Sequence, residues 1–246
     1  MSGSQFIRPD WPVPANVRAA STLRGGGVGN GPFASFNLAT HVGDDYASVA
    51  ENRRRLRAEL QLPAEPVWLN QVHGIHVVDA VAQVSAPTAD ASVARSPGQV
   101  CVVMTADCLP VLFCDRQGTR VAAAHAGWRG LVGGVLAQTI AALATSPQEL
   151  LAWLGPAIEQ PAFEVGEEVR EQFVARNPAN ASAFDRNDRG RWQADLYALA
   201  RQELTQLGVQ QIHGGGFCTH ADAERFFSYR REQRTGRMAS LVWMDD

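Results

Sequence analysis

The segment of residues 100–134 constrains the fold of this chain most strongly. It contains two apolar runs of strand length, residues 100–104 and 121–124. Each run leads into a side chain that can bind a metal or attack a substrate, namely Cys108 and His125. A buried strand holds such a group on a rigid support at the edge of a sheet. We therefore predict a functional site where these two strands end.

The hydrophobic pattern of the remaining chain predicts a mixture of helices and strands. Apolar residues at helical spacing predict helices over residues 46–60, 131–145, 164–177 and 194–208. Short apolar runs predict strands over residues 66–70, 76–81, 150–154, 209–212 and 240–244. Strands occur both in succession and in alternation with helices, so we predict an α+β fold with mixed sheets. The glycine-rich residues 24–31 match no phosphate-binding pattern and are expected to form a flexible surface loop.

Composition favours an ordinary globular domain. Of the 246 residues, 46% are hydrophobic and 19% are charged, and no Pro-, Gly- or Ser-rich linker divides them. We expect an N-terminal tether over residues 1–17 and a single domain over residues 18–246. A net charge of −3 gives no reason to expect nucleic-acid binding. No apolar run reaches the roughly 18 residues of a membrane span, and no secretory signal is recognisable, so we expect a cytoplasmic protein without membrane contact.

Three side chains form a candidate metal site: His73, Cys108 and His125. Each lies where an apolar segment meets a turn, so that side chains from different strands can converge. One thiolate and two imidazoles suit zinc, and three protein ligands leave a fourth position open, which is typical of catalytic zinc. A weaker candidate cluster consists of His213, Cys218 and His220 around a glycine turn.

A second interpretation of the same residues requires no metal. Cys108 would be a nucleophile and His125 its general base, as in acyl transfer. Asp107 precedes Cys108, and its charge would raise the pKa of the thiol, which disfavours a free thiolate. A metal removes this difficulty because it deprotonates a coordinating thiol. Cys101 and Cys114 lie within apolar runs, and we interpret them as core residues.

Several segments, in order along the chain, carry a resemblance to a known family. They are FNLATHVGDD, NQVHG, TADCLPVLFCD, AAAHAGWRG, GPAIEQPAFEVG and CTHADAERFFSYRREQRTGRMASLVW. Together they resemble the laccase-domain family, the YfiH-type proteins formerly called multicopper polyphenol oxidases. The resemblance extends over residues 36–243. One departure is His220, where we expect an aromatic residue in the family; this changes the pocket wall and leaves the metal ligands intact.

The resemblance implies a four-layer α/β/β/α sandwich, with zinc on His73, Cys108 and His125. It also implies that the substrates are purine nucleosides and phosphate. Adenosine, inosine, guanosine or methylthioadenosine would be cleaved to the base and a pentose 1-phosphate, and adenosine would be deaminated hydrolytically at the same site. Some family members are credited with removing L-serine from a muramoyl nucleotide, which gives an alternative function in editing peptidoglycan precursors. We expect a monomer.

Phosphorolysis requires groups that hold phosphate, and guanidinium forks are the natural choice. The candidates within family motifs are Arg53, Arg129, Arg230 and Arg231, of which we favour Arg53 and Arg129. Arg129 could instead form a structural ion pair, for example with Asp107. Asp107 is also the candidate for a carboxylate that orients His125. The aromatic residues that could stack on a purine, or lie in the core, are Phe226, Phe227 and Tyr229.

The histidine content argues against a true multicopper oxidase. Such an enzyme needs on the order of ten histidines, largely in His-x-His pairs, because copper prefers imidazole. This chain has six histidines and no His-x-His pair. Polyphenol oxidation is therefore expected only from adventitious copper at the zinc site. The non-enzymatic alternative is a zinc-stabilised domain that binds a partner.

Overall fold

The computed structural model describes residues 5–81 and 84–246. Its strands are β1 Phe6–Ile7, β2 Val17–Thr22, β3 Val77–Asp79, β4 Ala91–Ala94, β5 Val100–Thr105, β6 Leu109–Asp115, β7 Val121–Ala126, β8 Leu150–Leu154, β9 Glu164–Val165, β10 Phe184–Arg186, β11 Trp192–Ala194, β12 Gln211–Gly214 and β13 Met238–Met244. The α-helices are α1 Tyr46–Leu60, α2 Trp128–Gly133, α3 Val135–Leu143, α4 Glu167–Arg176, α5 Leu196–Gln206 and α6 Tyr229–Glu232. None of these helices is long and apolar enough to cross a membrane.

Two large sheets form the centre of the molecule. A four-stranded sheet has the order β1-β2-β13-β5, and a six-stranded sheet has the order β12-β8-β6-β7-β4-β3. A small third sheet has the order β10-β11-β9. The six-stranded sheet is mixed, because β3 pairs with β4 and β12 pairs with β8 in parallel while its other pairs are antiparallel. The prediction of an α+β fold with a mixed sheet is therefore confirmed.

Hydrophobic side chains pack the two sheets face to face and cover each outer face with helices. Val103 and Val242 of the smaller sheet meet Leu112 and Trp153 of the larger sheet in one buried cluster. The opposite face of the smaller sheet packs on Leu56 and other residues of α1. The opposite face of the larger sheet packs on α3, α4 and α5. This is the α/β/β/α sandwich, and strands buried on both faces explain the continuous apolar runs.

The described part of the predicted N-terminal tether packs onto the domain. Phe6 and Ile7 pair with β2 at Thr22 and Ser21. Trp11 is only 8% exposed and joins the cluster between the sheets. Residues 5–17 therefore differ from a free tether, because their apolar side chains complete an edge of the smaller sheet and its core.

Other boundaries differ from prediction for local reasons. The predicted helix over residues 131–145 is divided into α2 and α3 at Gly134, whose φ of 101° lies in the left-handed region that favours glycine. Residues 66–70 do not form a named strand, although the Val67 N–H donates to the carbonyl of Val100 at 3.2 Å. Strand β3 is shorter than predicted and ends at Asp79.

The glycine-rich loop is held by a buried side chain of α1. Asn52 is fully buried, and its Oδ1 accepts from the N–H of Val28 at 3.0 Å. Its Nδ2 donates to the carbonyls of Ser35 and Asn37 at 3.0 and 2.9 Å. The loop expected to be flexible is thus attached to the helix. The same side chain fixes the start of the segment that carries His41.

We predict that Asn52→Ala lowers the free energy of unfolding by about 2 to 4 kcal/mol, because it leaves the N–H of Val28 and the carbonyl of Asn37 without a partner and removes one of the two donors to the carbonyl of Ser35. Urea unfolding monitored by circular dichroism measures this change. Glu59→Ala, at an exposed position of the same helix, is the control and should change stability by less than about 0.5 kcal/mol. Equal stability of the two variants would show that Asn52 does not anchor the loop.

Candidate metal centre and its cavity

Adjacent strands bring Cys108 and His125 together. Strands β6 and β7 are antiparallel, with Leu109 opposite Ala126, so that Cys108 lies just before one strand while His125 lies near the end of the other. Gly127 completes this junction. A Cβ atom there would lie 2.8 Å from Cys108 Sγ and 3.0 Å from His73 Cδ2. Only a residue without a side chain leaves room for both ligands.

The turn that carries His73 places its imidazole on the same site. The Sγ of Cys108 lies 3.8 Å from Nε2 of His73. The rings of His73 and His125 have centroids 4.8 Å apart and are inclined at 67°. The candidate ligand atoms of all three residues lie within 4.8 Å of one another. The structure thus brings together the three residues predicted from the sequence, close enough to share one ion.

A carboxylate that the sequence analysis missed organises these ligands. Asp90 is fully buried, and its Oδ1 lies 2.8 Å from Nδ1 of His125 and 2.9 Å from the N–H of His73. Its Oδ2 accepts from the N–H groups of Gly74 and Val72 at 2.6 and 3.2 Å. A carboxylate only accepts hydrogen bonds, so Nδ1 of His125 carries the hydrogen and Nε2 is free to bind a metal.

Electrostatics at the site favour a thiolate. Burial alone would raise the pKa of the Cys108 thiol, but His125 and His73 outweigh burial and lower it. Burial alone would lower the pKa of His125, but Cys108 and Asp90 raise it. Burial also opposes the charge of Asp90, whose pKa is nevertheless held low by hydrogen bonds from His125 and Gly74. The donor set therefore suits a borderline-soft cation such as zinc, which prefers thiolate and imidazole.

Asp107 does not orient His125, contrary to the prediction. Its carboxylate accepts from Thr219 Oγ1 at 2.7 Å and from the N–H of Arg230 at 2.6 Å. Its backbone φ is 93°, an unusual value for a residue other than glycine. Asp107 therefore ties two distant segments to the turn before Cys108, whereas Asp90 has the role that we assigned to Asp107. The sequence signal that could have identified Asp90 is a carboxylate inside a buried segment, because a buried charge needs partners.

A cavity of about 490 Å³ opens beside the three ligands. One part of its wall is apolar, and another part carries cationic or potentially cationic side chains. The apolar part includes Met104, Trp128, Ile158, Phe163 and Leu196. The cationic part includes His41, Arg129, Arg230 and Arg237. His41 and Arg237 were not predicted, although both lie in the segments that carry the family resemblance.

The predicted phosphate-binding arginines have different surroundings. Arg129 and Arg230 line the cavity. Arg53 does not line it, because its Nε donates to the carbonyl of Leu38 at 2.9 Å and its guanidinium lies 3.8 Å from the ring centroid of Trp68. The guanidinium of Arg231 is also engaged within the protein, since it donates hydrogen bonds to the carbonyls of Thr219, His220 and Phe226. We therefore correct the prediction that Arg53 binds phosphate, because its side chain packs behind the residues that line the cavity.

The remaining candidate residues also differ in their positions relative to the cavity. Phe226 and Phe227 are fully buried core residues, whereas Tyr229 is exposed and lines the cavity. Arg129 lies 4.2 Å from the ring centroid of Trp128 and forms no ion pair with Asp107.

Within residues 5–81 and 84–246, the group of three or more potential metal ligands is the one formed by His73, Cys108 and His125. The weaker cluster around Cys218 is therefore not assembled in the described structure.

Comparison with known proteins agrees with this site and fold. A sequence profile of the family described as multi-copper polyphenol oxidoreductase laccase matches residues 18–245. The chain belongs to this family. A purine nucleoside phosphorylase of Pseudomonas aeruginosa is 57% identical over 242 residues, which cover 98% of this chain and 99% of the relative. The purine nucleoside phosphorylase YfiH of Escherichia coli is 53% identical, with the same coverage of both chains.

Solved structures of family members share the fold. A Neisseria meningitidis protein has a TM-score of 0.96 and 52% identity, covering 99% of this chain and 100% of that protein. YlmD from Geobacillus stearothermophilus has a TM-score of 0.91 and 30% identity, covering 100% of this chain and 98% of that protein. The resemblance inferred from the ordered motifs is confirmed.

We predict that Asp90→Asn lowers zinc affinity about 10- to 100-fold, because an amide can no longer accept from every N–H that Asp90 now binds. Competition with a chromophoric chelator measures the affinity. Asp115→Asn is the matched control, since Asp115 is also buried but accepts from Thr119 and Arg120 in a turn outside the cavity wall. Wild-type zinc affinity in Asp90→Asn would contradict the assigned role of this carboxylate.

Proposed function

We propose that this protein is a zinc-dependent purine nucleoside phosphorylase that also deaminates adenosine. The observation that carries the proposal is the His73, Cys108 and His125 set beside a cavity with one apolar and one cationic region. Close relatives named purine nucleoside phosphorylase support it. We further propose that the protein acts in the cytoplasm as a monomer. Copper would bind only adventitiously.

The cavity suits a nucleoside and phosphate in its size and chemistry. Its volume of about 490 Å³ lies within the usual range of small-molecule sites, about 300 to 1,000 Å³. Ile158, Phe163 and Leu196 offer an apolar surface for a purine ring, and Tyr229 offers a further aromatic ring. Arg129 and Arg230 offer guanidinium groups for an anionic substrate.

Each residue of the centre has a distinct role in this proposal. His73, Cys108 and His125 would hold the zinc ion, and Asp90 keeps the His125 ring in the tautomer that leaves Nε2 free. A bound zinc ion supplies Lewis-acid activation of a water molecule for hydrolytic deamination. Asp107 fixes the turn before Cys108 through Thr219 and Arg230, which keeps the cavity wall in register with the ligands. The apolar wall orients the base and excludes water.

We predict that the purified protein releases hypoxanthine from inosine only in the presence of phosphate and converts adenosine to inosine without phosphate. Chromatography of the reaction mixture separates the nucleosides from their bases. Cys108→Ala should lose zinc and lose both reactions by more than about 100-fold, because it removes the thiolate ligand. Cys218→Ala, which changes a cysteine outside the ligand group, should keep both.

The same chromatographic assay, run also with a muramoyl-serine nucleotide, distinguishes the proposed function from its alternatives. Cleavage of a muramoyl-serine nucleotide by a metal-free protein that turns over no nucleoside would replace the proposal with a cysteine hydrolase. A protein that loses thermal stability with its zinc but turns over none of these substrates would be a structural binding domain. Either result would contradict the proposed function.

A further inference from the structure

We infer that Arg237, assisted by His41, forms the phosphate-binding subsite of the cavity. This inference rests on the proposed function and assigns its anionic substrate to residues that the family motifs alone did not single out. Both side chains line the cavity that contains Cys108 and His125. They belong to segments far apart in the chain, so their meeting is a property of the fold.

Arg237 offers unused donors to the cavity. Its Nη1 donates to the carbonyls of Thr235 and Gly236 at 2.9 and 3.0 Å, which fixes the guanidinium plane. No hydrogen bond among the described residues engages its Nε or Nη2. Neither atom is among the buried polar atoms that lack a partner, so both remain accessible. A fixed guanidinium with a free edge is the geometry that binds a phosphate oxygen pair.

Arg237 also lacks a carboxylate partner. No ion pair within the described part of the chain includes it. The acidic residue among those that line the cavity, Asp107, already accepts from Thr219 and Arg230. Burial lowers the pKa of Arg237, although Cys108 and Asp107 oppose that effect. A half-buried cation without an ionic partner is stabilised when an anion binds.

One buried side chain holds Arg237 and the His41 segment in place. Asn37 is fully buried, and its Oδ1 accepts from the N–H of Arg237 at 2.9 Å. Its Nδ2 donates to the carbonyl of Ala39 at 3.1 Å and to Asp44 Oδ2 at 2.9 Å. Asn37 therefore joins the two ends of the segment around His41 to Arg237. Such preorganisation lowers the entropic cost of binding a small anion.

His41 lines the same cavity as Arg237, and Asn37 joins the segments that carry the two residues. The pKa of His41 is lowered because partial burial disfavours the imidazolium and because Arg237 and Arg53 repel its positive charge. His41 is thus close enough to Arg237 to sense its charge, and as a neutral imidazole it can still donate one N–H to an oxyanion. Arg53, though outside the cavity wall, adds a positive potential from behind.

The two arginines predicted earlier are less suited to be the principal phosphate ligand. Arg230 and Arg129 are both exposed. Arg230 already donates from Nη1 to the carbonyl of Glu164 at 2.9 Å, and Arg129 lies against the ring of Trp128. We therefore assign them to the rim of the cavity, where they attract anions, and assign Arg237 to direct binding.

In phosphorolysis, a phosphate oxygen forms a bond to the anomeric carbon of the ribose while the bond from that carbon to the purine nitrogen breaks. The electron pair of the broken bond passes to the purine, which takes up the proton of the hydrogen phosphate. The products are the free base and ribose 1-phosphate. Arg237 neither gains nor loses a proton; it holds the phosphate in position and reduces its repulsion from the electron-rich leaving group.

The test compares Arg237→Gln with wild-type enzyme, both loaded with zinc, in phosphorolysis of inosine. We expect the KM for phosphate to rise about 10- to 100-fold, as for the loss of charge-assisted hydrogen bonds, while the KM for inosine changes less than about twofold. Arg237→Lys should recover part of the loss, because it restores the charge without the fork. His41→Gln should raise the KM for phosphate by about 3- to 10-fold.

Arg234→Gln is the matched control. It removes the same charge and also contacts the His41 segment, through the carbonyl of Gly43, but does not line the cavity. It should leave both KM values unchanged. A zinc-loaded Arg237→Gln enzyme whose KM for phosphate stays within twofold of wild type would overturn the inference while leaving the proposed function intact.

Calorimetric titration with inorganic phosphate separates the two claims. If wild-type protein binds phosphate and Arg237→Gln does not, the subsite is supported even when no nucleoside is cleaved, and only the proposed function fails. If both proteins bind phosphate equally, the subsite assignment is wrong. If wild-type protein neither binds phosphate nor cleaves nucleosides, both claims are wrong.

Discussion

The four hydrogen bonds accepted by the carboxylate of Asp90 hold the candidate metal centre together. Three of them come from consecutive N–H groups of the turn that carries His73, and the fourth comes from the His125 ring. Hydrogen bonds to a charged acceptor contribute about 1.5 to 3 kcal/mol each. The left-handed φ of 60° at His73 costs at most about 1 to 3 kcal/mol, so the carboxylate outweighs the strain of the turn.

A second buried network organises the opposite wall of the cavity. Asn52 on α1 and Asn37 in the segment before this helix hydrogen-bond to backbone groups of residues 28–39. Asn37 also binds the N–H of Arg237. The candidate metal ligands and the cationic wall are therefore fixed by separate polar side chains, each within a close-packed sandwich. This separation allows the candidate metal centre and the proposed anion subsite to be tested independently by substitution.

Sequence patterns predicted the features that follow from local chemistry. The apolar runs that lead to Cys108 and His125, and the turn around His73, indicated the ligand set before its geometry was known. The arginine assignment was less successful, because guanidinium chemistry does not show whether a side chain faces the cavity: Arg53 lies behind the wall, whereas Arg237 lines it. Asp90 was missed for a similar reason, since its partners come from residues 72–74 and 125, which are distant in the chain.

Zinc K-edge X-ray absorption on protein loaded with one equivalent of zinc shows whether His73, Cys108 and His125 together bind the ion, as we propose. We expect one sulfur neighbour at about 2.3 Å and two imidazole nitrogens at about 2.0 to 2.1 Å, with the sulfur signal lost in Cys108→Ala. A zinc environment made only of oxygen and nitrogen, or one unchanged by Cys108→Ala, would show that these three side chains do not form the zinc site.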